Sequence, residues 1–275
     1  MPEGFLNYIK DYAQTSGGLL VVPFKRCREA AARFGLSPRA AEALALRGGL
    51  CPSRYARNIG VIGMEGQARL LESAAAVAGC GGLGGWIVEM LARAGVGRLI
   101  LIDGDSFDDN NLNRQLYCDE ENIGASKAEA AAARVRRVNG AVEAVARPLY
   151  INEENGRELL AGASAAVDAL DGNDARGALF KACRELDIPF VHGAVAGFYG
   201  EAAVLAPQDR PVWELTGAPD RGIELSTGNP PFIPPFIAAV QACETIKILA
   251  GLEGRLEHSL LWFDLKRCDM QRLKI

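Results

Sequence analysis

One stretch constrains the fold more than any other: VAGCGGLGGWIVEMLARAGVGRLILID, residues 77–103. Gly79, Gly81 and Gly84 fit G-x-G-x-x-G between an apolar run and an apolar helix. In such a turn the first glycine permits the tight bend. The second lets a phosphate approach the backbone, and the third lets helix and strand pack closely. The helix that follows offers free N–H groups and the positive end of its dipole to an anion. Trp86, Ile87, Met90, Leu91 and Ala94 give that helix one apolar face. Asp103 closes the next strand roughly 20 residues on, where a ribose-binding acid is expected. The motif points to a nucleotide. Alone it separates neither a redox dinucleotide from ATP nor either of them from a turn that only packs.

The rest of the chain supplies the setting. Apolar runs alternate with helical stretches from about Ala74 onward: RLILID, SKAEAAAARVRRVN, VEAVARPLY, EENGRELLAG, AAVDAL, DARGALFKACRELD and PFVHGAV. This alternation predicts an α/β, Rossmann-like fold: a mostly parallel sheet with helices on both faces. YGEAAVLAP follows after a short link and predicts an antiparallel continuation on the C-terminal side, with LLWFDLKRCDMQRLKI as a closing hairpin. AAAVAG carries conflicting signals, because alanine favours helix and only the glycines after it argue for a strand. The Pro- and Gly-rich stretch from Gln208 to Pro235 reads as a long loop, and FIAAVQACETIKILAG as the helix after it.

Residues 1–50 read as a separate helical extension, and residues 51–275 as the nucleotide domain. Phe5, Leu6, Ile9 and Tyr12 recur at helical spacing. Ser37 is a candidate N-cap before Pro38, with Gly48-Gly49 as the stop. The extension reads as a lid or a dimer-packing element.

With 49% hydrophobic residues, the 275-residue chain can bury a substantial core. A charge of −4 argues against a broad nucleic-acid face, although a local basic patch is compatible with it. Seven scattered cysteines without a CxxC pair lead us to expect reduced thiols and a cytoplasmic location. The start, MPEGFLNYIKDYAQ, lacks the pattern of a signal peptide. We expect no stretch long and clean enough to span a bilayer, and no membrane partner.

Three downstream segments decide between the nucleotides. DGDSFDDNNLNRQLY brings Arg114 and Gln115. GASKAEAA puts Lys127 in the first turn of a helix, where acids are favoured. VDALDGNDARG puts Asp168 and Asp171 at a strand end, where open α/β sheets bind ligands. Each has a plain structural reading: Arg114 in a surface ion pair, Lys127 solvated, Asp171 capping the helix through Arg176. Together, two cations and a carboxylate fit ATP with Mg²⁺ better than NAD.

GCGGLGG, LILIDGDSFDDNNLNRQ, GASKAE and DALDGNDARG, with RYARNIGVIGMEGQARL as an entry segment, resemble the ThiF/MoeB/HesA family from about Arg54 to the C-terminus. The resemblance implies an adenylyltransferase that uses Mg-ATP on the C-terminal glycine carboxylate of a small ubiquitin-fold protein. By motif position, Asp103 binds the ribose, and Gly82 and Gly84 lie against the nucleotide. Gly79, Gly81, Asp105 and Gln115 complete the nucleotide set. Asn111, Arg114 and Lys127 contact phosphates, and Asp171 holds Mg²⁺. Arg57 reaches the phosphates from the other subunit of a homodimer. Arg57, Arg114, Lys127 and Asp171 are thus the implied catalytic residues, acting by alignment and charge neutralisation without a general base. The acceptor tail is expected to end in Gly-Gly, because glycine lets an extended tail thread a narrow channel. Residues 208–235 are its candidate cover.

Two departures narrow the role. Many relatives carry a zinc bound by two CxxC pairs, whereas here DRPVWELTG occupies the first position and the second pair is missing, so no zinc is expected. Where some relatives use a cysteine for a thioester or persulfide, this chain has Ser226. Cys183 and Cys243 fall in helical patterns and read as small buried hydrophobes, and Cys80 and Cys118 lack a setting that lowers a thiol pKa. We therefore expect adenylation only, the MoeB-like rather than the cysteine-dependent ThiF-like role, with the molybdenum, tungsten, thiamine or other sulfur route left open. Three other readings remain. One is a tRNA threonylcarbamoyladenosine dehydratase of the same superfamily, disfavoured by the acidic charge. The others are a non-catalytic partner subunit and a nicotinamide oxidoreductase.

Overall fold

The computed structural model describes residues 2–216 and 227–275. In chain order the described elements begin with α1 (Pro2–Lys10), β1 (Gln14–Ser16), β2 (Leu19–Val22), α2 (Phe24–Arg33), α3 (Pro38–Arg47) and β3 (Leu50–Pro52). A short 3-10 turn, Ser53–Tyr55, leads into α4 (Ile59–Glu72), β4 (Ala74–Ala78), α5 (Gly84–Ala94), β5 (Arg98–Ile102), α6 (Lys127–Val138) and β6 (Glu143–Arg147). Then come α7 (Gly156–Leu159), β7 (Ala165–Asp168), α8 (Asn173–Leu186), β8 (Phe190–Ala196), β9 (Tyr199–Leu205) and α9 (Val212–Thr216). The helix Ile233–Ala250, here α10, and the hairpin β10 (Ser259–Asp264) and β11 (Asp269–Lys274) complete the chain.

The large sheet has the order β11-β10-β9-β8-β7-β4-β5-β6. Strands β6, β5, β4, β7 and β8 run parallel, and β9, β10 and β11 continue antiparallel. The chain winds from β4 out to β6 and then returns to the other side of β4 as β7. The strand order therefore reverses between β4 and β7, where such sheets open a crevice at their carboxyl ends.

Alternation along the strands explains the two layers. Val77, Leu99, Leu101 and Val167 face α5, α6 and α10. Ala76, Ala78, Ile100 and Ala166 face the other way, onto Leu159 of α7 and Leu179, Phe180 and Cys183 of α8. Every residue of β4 is buried, so the alanines that favour helix locally form the central strand instead. Burial on both faces overrides the propensity.

Helix α10 starts three residues earlier than the sequence suggested, with Pro234 and Pro235 in its first turn, where a missing N–H costs nothing. By length and composition it is apolar enough to cross a membrane, contrary to expectation. Here Ile233, Ile237, Ala238 and Ala242 are buried in the core.

The first fifty residues contain more than helices. Gln14–Val21 form a hairpin whose turn is Gly17-Gly18, both at positive φ, and β3 adds to β2 in parallel. Phe5, Ile9, Val22 and Ala30 form a small core of their own. A second cluster, Leu46, Cys51, Tyr55, Ala68 and Leu71, joins this segment to α4.

Asn139, the buried residue ending α6, ties the segment to the nucleotide domain. Its Oδ1 accepts from Arg54 Nη1 and from Ala141 N at 3.1 Å, and its Nδ2 donates to Tyr55 Oη and Ala92 O, both at 3.0 Å. Asn139→Ala should cost about 3 kcal/mol, because it leaves several buried polar groups unpaired. At about 2–4 °C per kcal/mol, the melting temperature should fall by about 6–12 °C, measurable by a thermal melt followed by circular dichroism.

Candidate functional site

A cleft of about 610 Å³ opens at the β4/β7 reversal. The glycine turn forms one wall, and its glycines divide into two kinds. A Cβ on Gly79 (φ +91°) would lie 2.3 Å from Ala169 O, and one on Gly84 would lie 1.8 Å from Gly79 O. The chain's own packing requires these two. A Cβ on Gly81 or Gly82 would meet nothing closer than 3.4 Å, so packing does not demand glycine there. Both line the cleft with bare backbone. Leu83 precedes α5 and no side chain caps its first turn, which leaves N–H groups available to an anion.

Asp103 lines the same wall, but its carboxylate already has work. Oδ2 accepts from Cys80 N at 2.6 Å and Oδ1 from Asp105 N at 2.8 Å. It thus fastens the glycine turn to the end of β5. Burial raises its pKa more than these two donors lower it. Asp105 accepts from Lys127 Nζ at 2.9 Å and from Tyr150 Oη at 2.6 Å. Burial opposes its charge, yet Tyr150 and Lys127 prevail and hold the pKa below the usual carboxylate range. Lys127 is not the solvated helix residue of the plain reading: it is 7% exposed and sits at the cleft.

The block after β5 supplies Arg114 and Gln115. Arg114 Nη1 donates to Asn110 O at 2.8 Å and to Asn113 Oδ1 at 2.7 Å, with no carboxylate partner among the described residues. Gln115 is buried beside Gly81, and its Oε1 lacks a hydrogen-bond partner among the described residues. Asn111 is buried but does not line the cleft. Its Oδ1 accepts from Asp108 N, and its Nδ2 donates to Asn110 Oδ1. Asp171 is exposed in the cleft lining, with no hydrogen bond or ion pair to another described residue. It does not cap α8, since the cap position is Gly172. Arg57 is exposed ahead of α4 and, like Gly84, is not part of the cleft lining.

The structure thus brings Gly79, Gly81, Gly82, Asp103, Asp105, Arg114, Gln115, Lys127 and Asp171 around one space. It also joins Asp168 to partners that sequence reasoning missed. Asp168, fully buried at the end of β7, accepts from Arg176 Nε at 2.7 Å and meets His192 Nδ1 at 2.8 Å. Its other oxygen takes Leu170 N at 3.1 Å, while Arg176 Nη2 donates to Leu170 O at 2.8 Å. Residue 170 is therefore gripped at both its N–H and its C=O, and Asp171 follows directly. His192 Nε2 lies 3.2 Å from Glu201 Oε1. Burial disfavours all three charges. Arg176 and His192 nonetheless lower the pKa of Asp168, His192 lowers that of Glu201, and the two carboxylates raise that of His192. The available signal was a polar residue inside each of two apolar strands, PFVHGAV and YGEAAVL.

The cysteines are unpaired. Cys80 and Cys183 are buried, and burial pushes both thiols up, Cys183 to about 12. Cys243 corrects the expectation: it lies on the exposed side of α10. Ser226, and residues 217–226 of the expected cover, lie outside the described residues.

The family model described as "ThiF family" matches residues 55–275. A SAMP-activating enzyme E1 of Haloferax volcanii is 38% identical over 219 residues, covering 77% of this chain and 80% of that protein. Adenylyltransferase and sulfurtransferase MOCS3 of Mus musculus is 35% identical over 235 residues. That match covers 81% of this chain but only 50% of the mouse protein, so the chain spans about half the length of that relative. Among solved structures, PaaA matches with a TM-score of 0.69 at 19% identity, over 81% of this chain and 72% of that one. Escherichia coli MccB with ATP matches with a TM-score of 0.66 at 19% identity, over 80% and 71%. At these identities the two structures establish the shared fold.

The buried network has a pH signature. A histidine with a raised folded pKa stabilises fully below about 6.5, its unfolded value, and loses that contribution as pH rises through the folded value. The lowered carboxylates act at the other end, losing their contribution as pH falls below about 4. Urea unfolding from pH 6 to 9 should show the stability gap between wild type and His192→Gln narrowing as pH rises. A gap that widens as pH rises would mean that His192 is neutral in the folded protein.

Proposed function

The chain belongs to the ThiF family, and we propose that it activates the C-terminal carboxylate of a small ubiquitin-fold sulfur-carrier protein by ATP-dependent adenylation, releasing pyrophosphate. One observation carries this reading: bare backbone at Gly81 and Gly82, two cationic side chains and a free carboxylate share one cleft at the strand-order reversal. The relatives support it. One is named as an activating enzyme for SAMP and the other as an adenylyltransferase.

The residues present fit the substrate and its metal. The uncapped start of α5 and the unpartnered Gln115 Oε1 are open to a ligand. Asp171, a carboxylate in the cleft lining, has no ion pair among the described residues, and Mg²⁺ is commonly held by one or two carboxylates together with substrate phosphates. When bound, Mg²⁺ supplies further neutralisation of phosphate charge. Asp103 and Asp105 serve the ribose side. Each Asp103 oxygen that accepts one backbone N–H keeps a second acceptor direction. Lys127 exchanges Asp105 for a phosphate, and Arg114 swings from Asn110 and Asn113 to the same end. The acceptor carboxylate attacks the α-phosphorus with its own electron pair, pyrophosphate leaves, and no proton has to be removed. Arg176 and Asp168 hold the 169–171 turn so that Asp171 is in place. Arg57 acts from the second subunit of a homodimer, and the acceptor tail ends in Gly-Gly. Seven unpaired thiols suit a reducing compartment.

ATP–pyrophosphate exchange, assayed with and without small Gly-Gly-ending carriers, tests the reading. We expect a carrier to stimulate exchange, and Arg114→Ala or Lys127→Ala to slow it on the order of 10²-fold. Arg57→Ala and Asp171→Ala should each be inactive and recover partial activity when mixed. No stimulation by any carrier, or turnover on tRNA alone, would overturn the acceptor assignment.

A further inference from the structure

At the opposite end of α6 from Lys127, roughly 15 Å along the helix, a second cavity of about 260 Å³ lies between the N-terminal segment and the nucleotide domain. Four arginines line it: Arg28 from α2, Arg54 from the 3-10 turn, and Arg136 and Arg137 from the last turn of α6. Three separate pieces of chain thus deliver like charge to one concave space, in a protein whose net charge is −4.

Several other arginines of this region have acidic partners. Arg26 pairs with Glu29 at 2.6 Å, Arg39 with Glu143 at 3.5 Å, and Arg47 with Glu65 at 2.9 Å and Glu72 at 2.7 Å. Arg28, Arg136 and Arg137 have no carboxylate partner among the described residues. Arg54 is anchored: its side chain is 19% exposed, it bonds Asn139 and it lies 3.4 Å from Glu42 Oε1. Phe24 organises the pair beside it, with Arg54 4.3 Å and Arg28 5.6 Å from its ring centre. The negative end of the α6 dipole accounts for basic residues at 136 and 137. It does not account for Arg28 and Arg54 converging on the same cavity. Clustered like charges repel, and a bound anion offsets that repulsion. Arginine forks match phosphate oxygens in pairs.

We propose that this cavity binds a di- or triphosphate, held by Arg28, Arg54, Arg136 and Arg137, at a site distinct from the nucleotide cleft. The phosphates come either as free pyrophosphate or as the polyphosphate tail of a nucleotide.

Calorimetric titration of the full chain with Mg-free pyrophosphate, and in parallel with ADP, tests this. Wild type should bind two equivalents of at least one of them. Arg136→Ala/Arg137→Ala, at exposed helix-end positions, should weaken one site on the order of tenfold or more, the loss expected for two charge-assisted hydrogen bonds. The other site should be unchanged. Arg114→Ala/Lys127→Ala should do the reverse. Tighter pyrophosphate binding at the α6 end identifies the free ion, and tighter ADP binding the nucleotide tail. A single site lost only in the cleft variant overturns the proposal. So does a stoichiometry unaffected by the helix-end variant, or binding of a short RNA with no pyrophosphate or ADP site. Because the readout is binding, these outcomes do not depend on which acceptor the cleft serves.

Discussion

The contact on which the site depends is between backbones. Gly84 lies against the carbonyl of Gly79, and Gly79 against that of Ala169. The turn after β4 is thereby pressed onto the end of β7, and α5 starts where the sheet order reverses. Asp103 holds the same turn from the other side through the Cys80 N–H. With the turn clamped between β7 and β5, the backbone at Gly81 and Gly82 is held open rather than collapsed. An anion there meets N–H groups already in position, which limits the ordering that binding must supply.

The β7 end of the cleft is held by charge. Asp168 is buried without access to water, a state that is costly unless the carboxylate is paired and hydrogen-bonded. Arg176, His192 and the Leu170 N–H meet that requirement. The arrangement need not add net stability compared with an apolar replacement. What it provides is direction: one carboxylate and one guanidinium fix the turn that carries Asp171. Glu201 completes the network from β9, so the antiparallel half of the sheet is tied to the same end.

Most of this was legible as motif and only partly as geometry. The glycine turn, Arg114, Lys127 and Asp171 were readable because each stands out against its local pattern. The strand at Ala74–Ala78 was readable only through the glycines after it, since its propensity points to helix and burial on both faces decides otherwise. The Gly17-Gly18 hairpin had a local signal, two glycines between extended residues, which the helical periodicity around it masked. The Asp168–His192–Glu201 network had only a polar residue inside each of two apolar strands, with nothing local to join them. Its members are 24 and 9 residues apart and meet only because β7, β8 and β9 are neighbours. Cys243 shows the limit of periodicity on a helix as apolar as α10, where the buried and exposed sides have nearly the same composition.

On the proposed reading, the Lys127–Asp105 pair is the one that exchanges partners when ligand enters. A lysine buried at a helix start, against the helix dipole, needs a negative partner, and Asp105 with Tyr150 behind it provides one. A triphosphate entering the cleft brings more charge than that single carboxylate. The ammonium can therefore transfer to phosphate while Tyr150 keeps Asp105 hydrogen-bonded. The exchange replaces one ion pair with another and leaves neither charge stranded, so the cost of burying Lys127 is met in both states. Arg114 follows the same logic with neutral partners: its two oxygen acceptors are a backbone carbonyl and an asparagine, which a phosphate outcompetes because its charge strengthens the bond. On the proposed reading, both cations are held in the cleft by groups that a phosphate can replace.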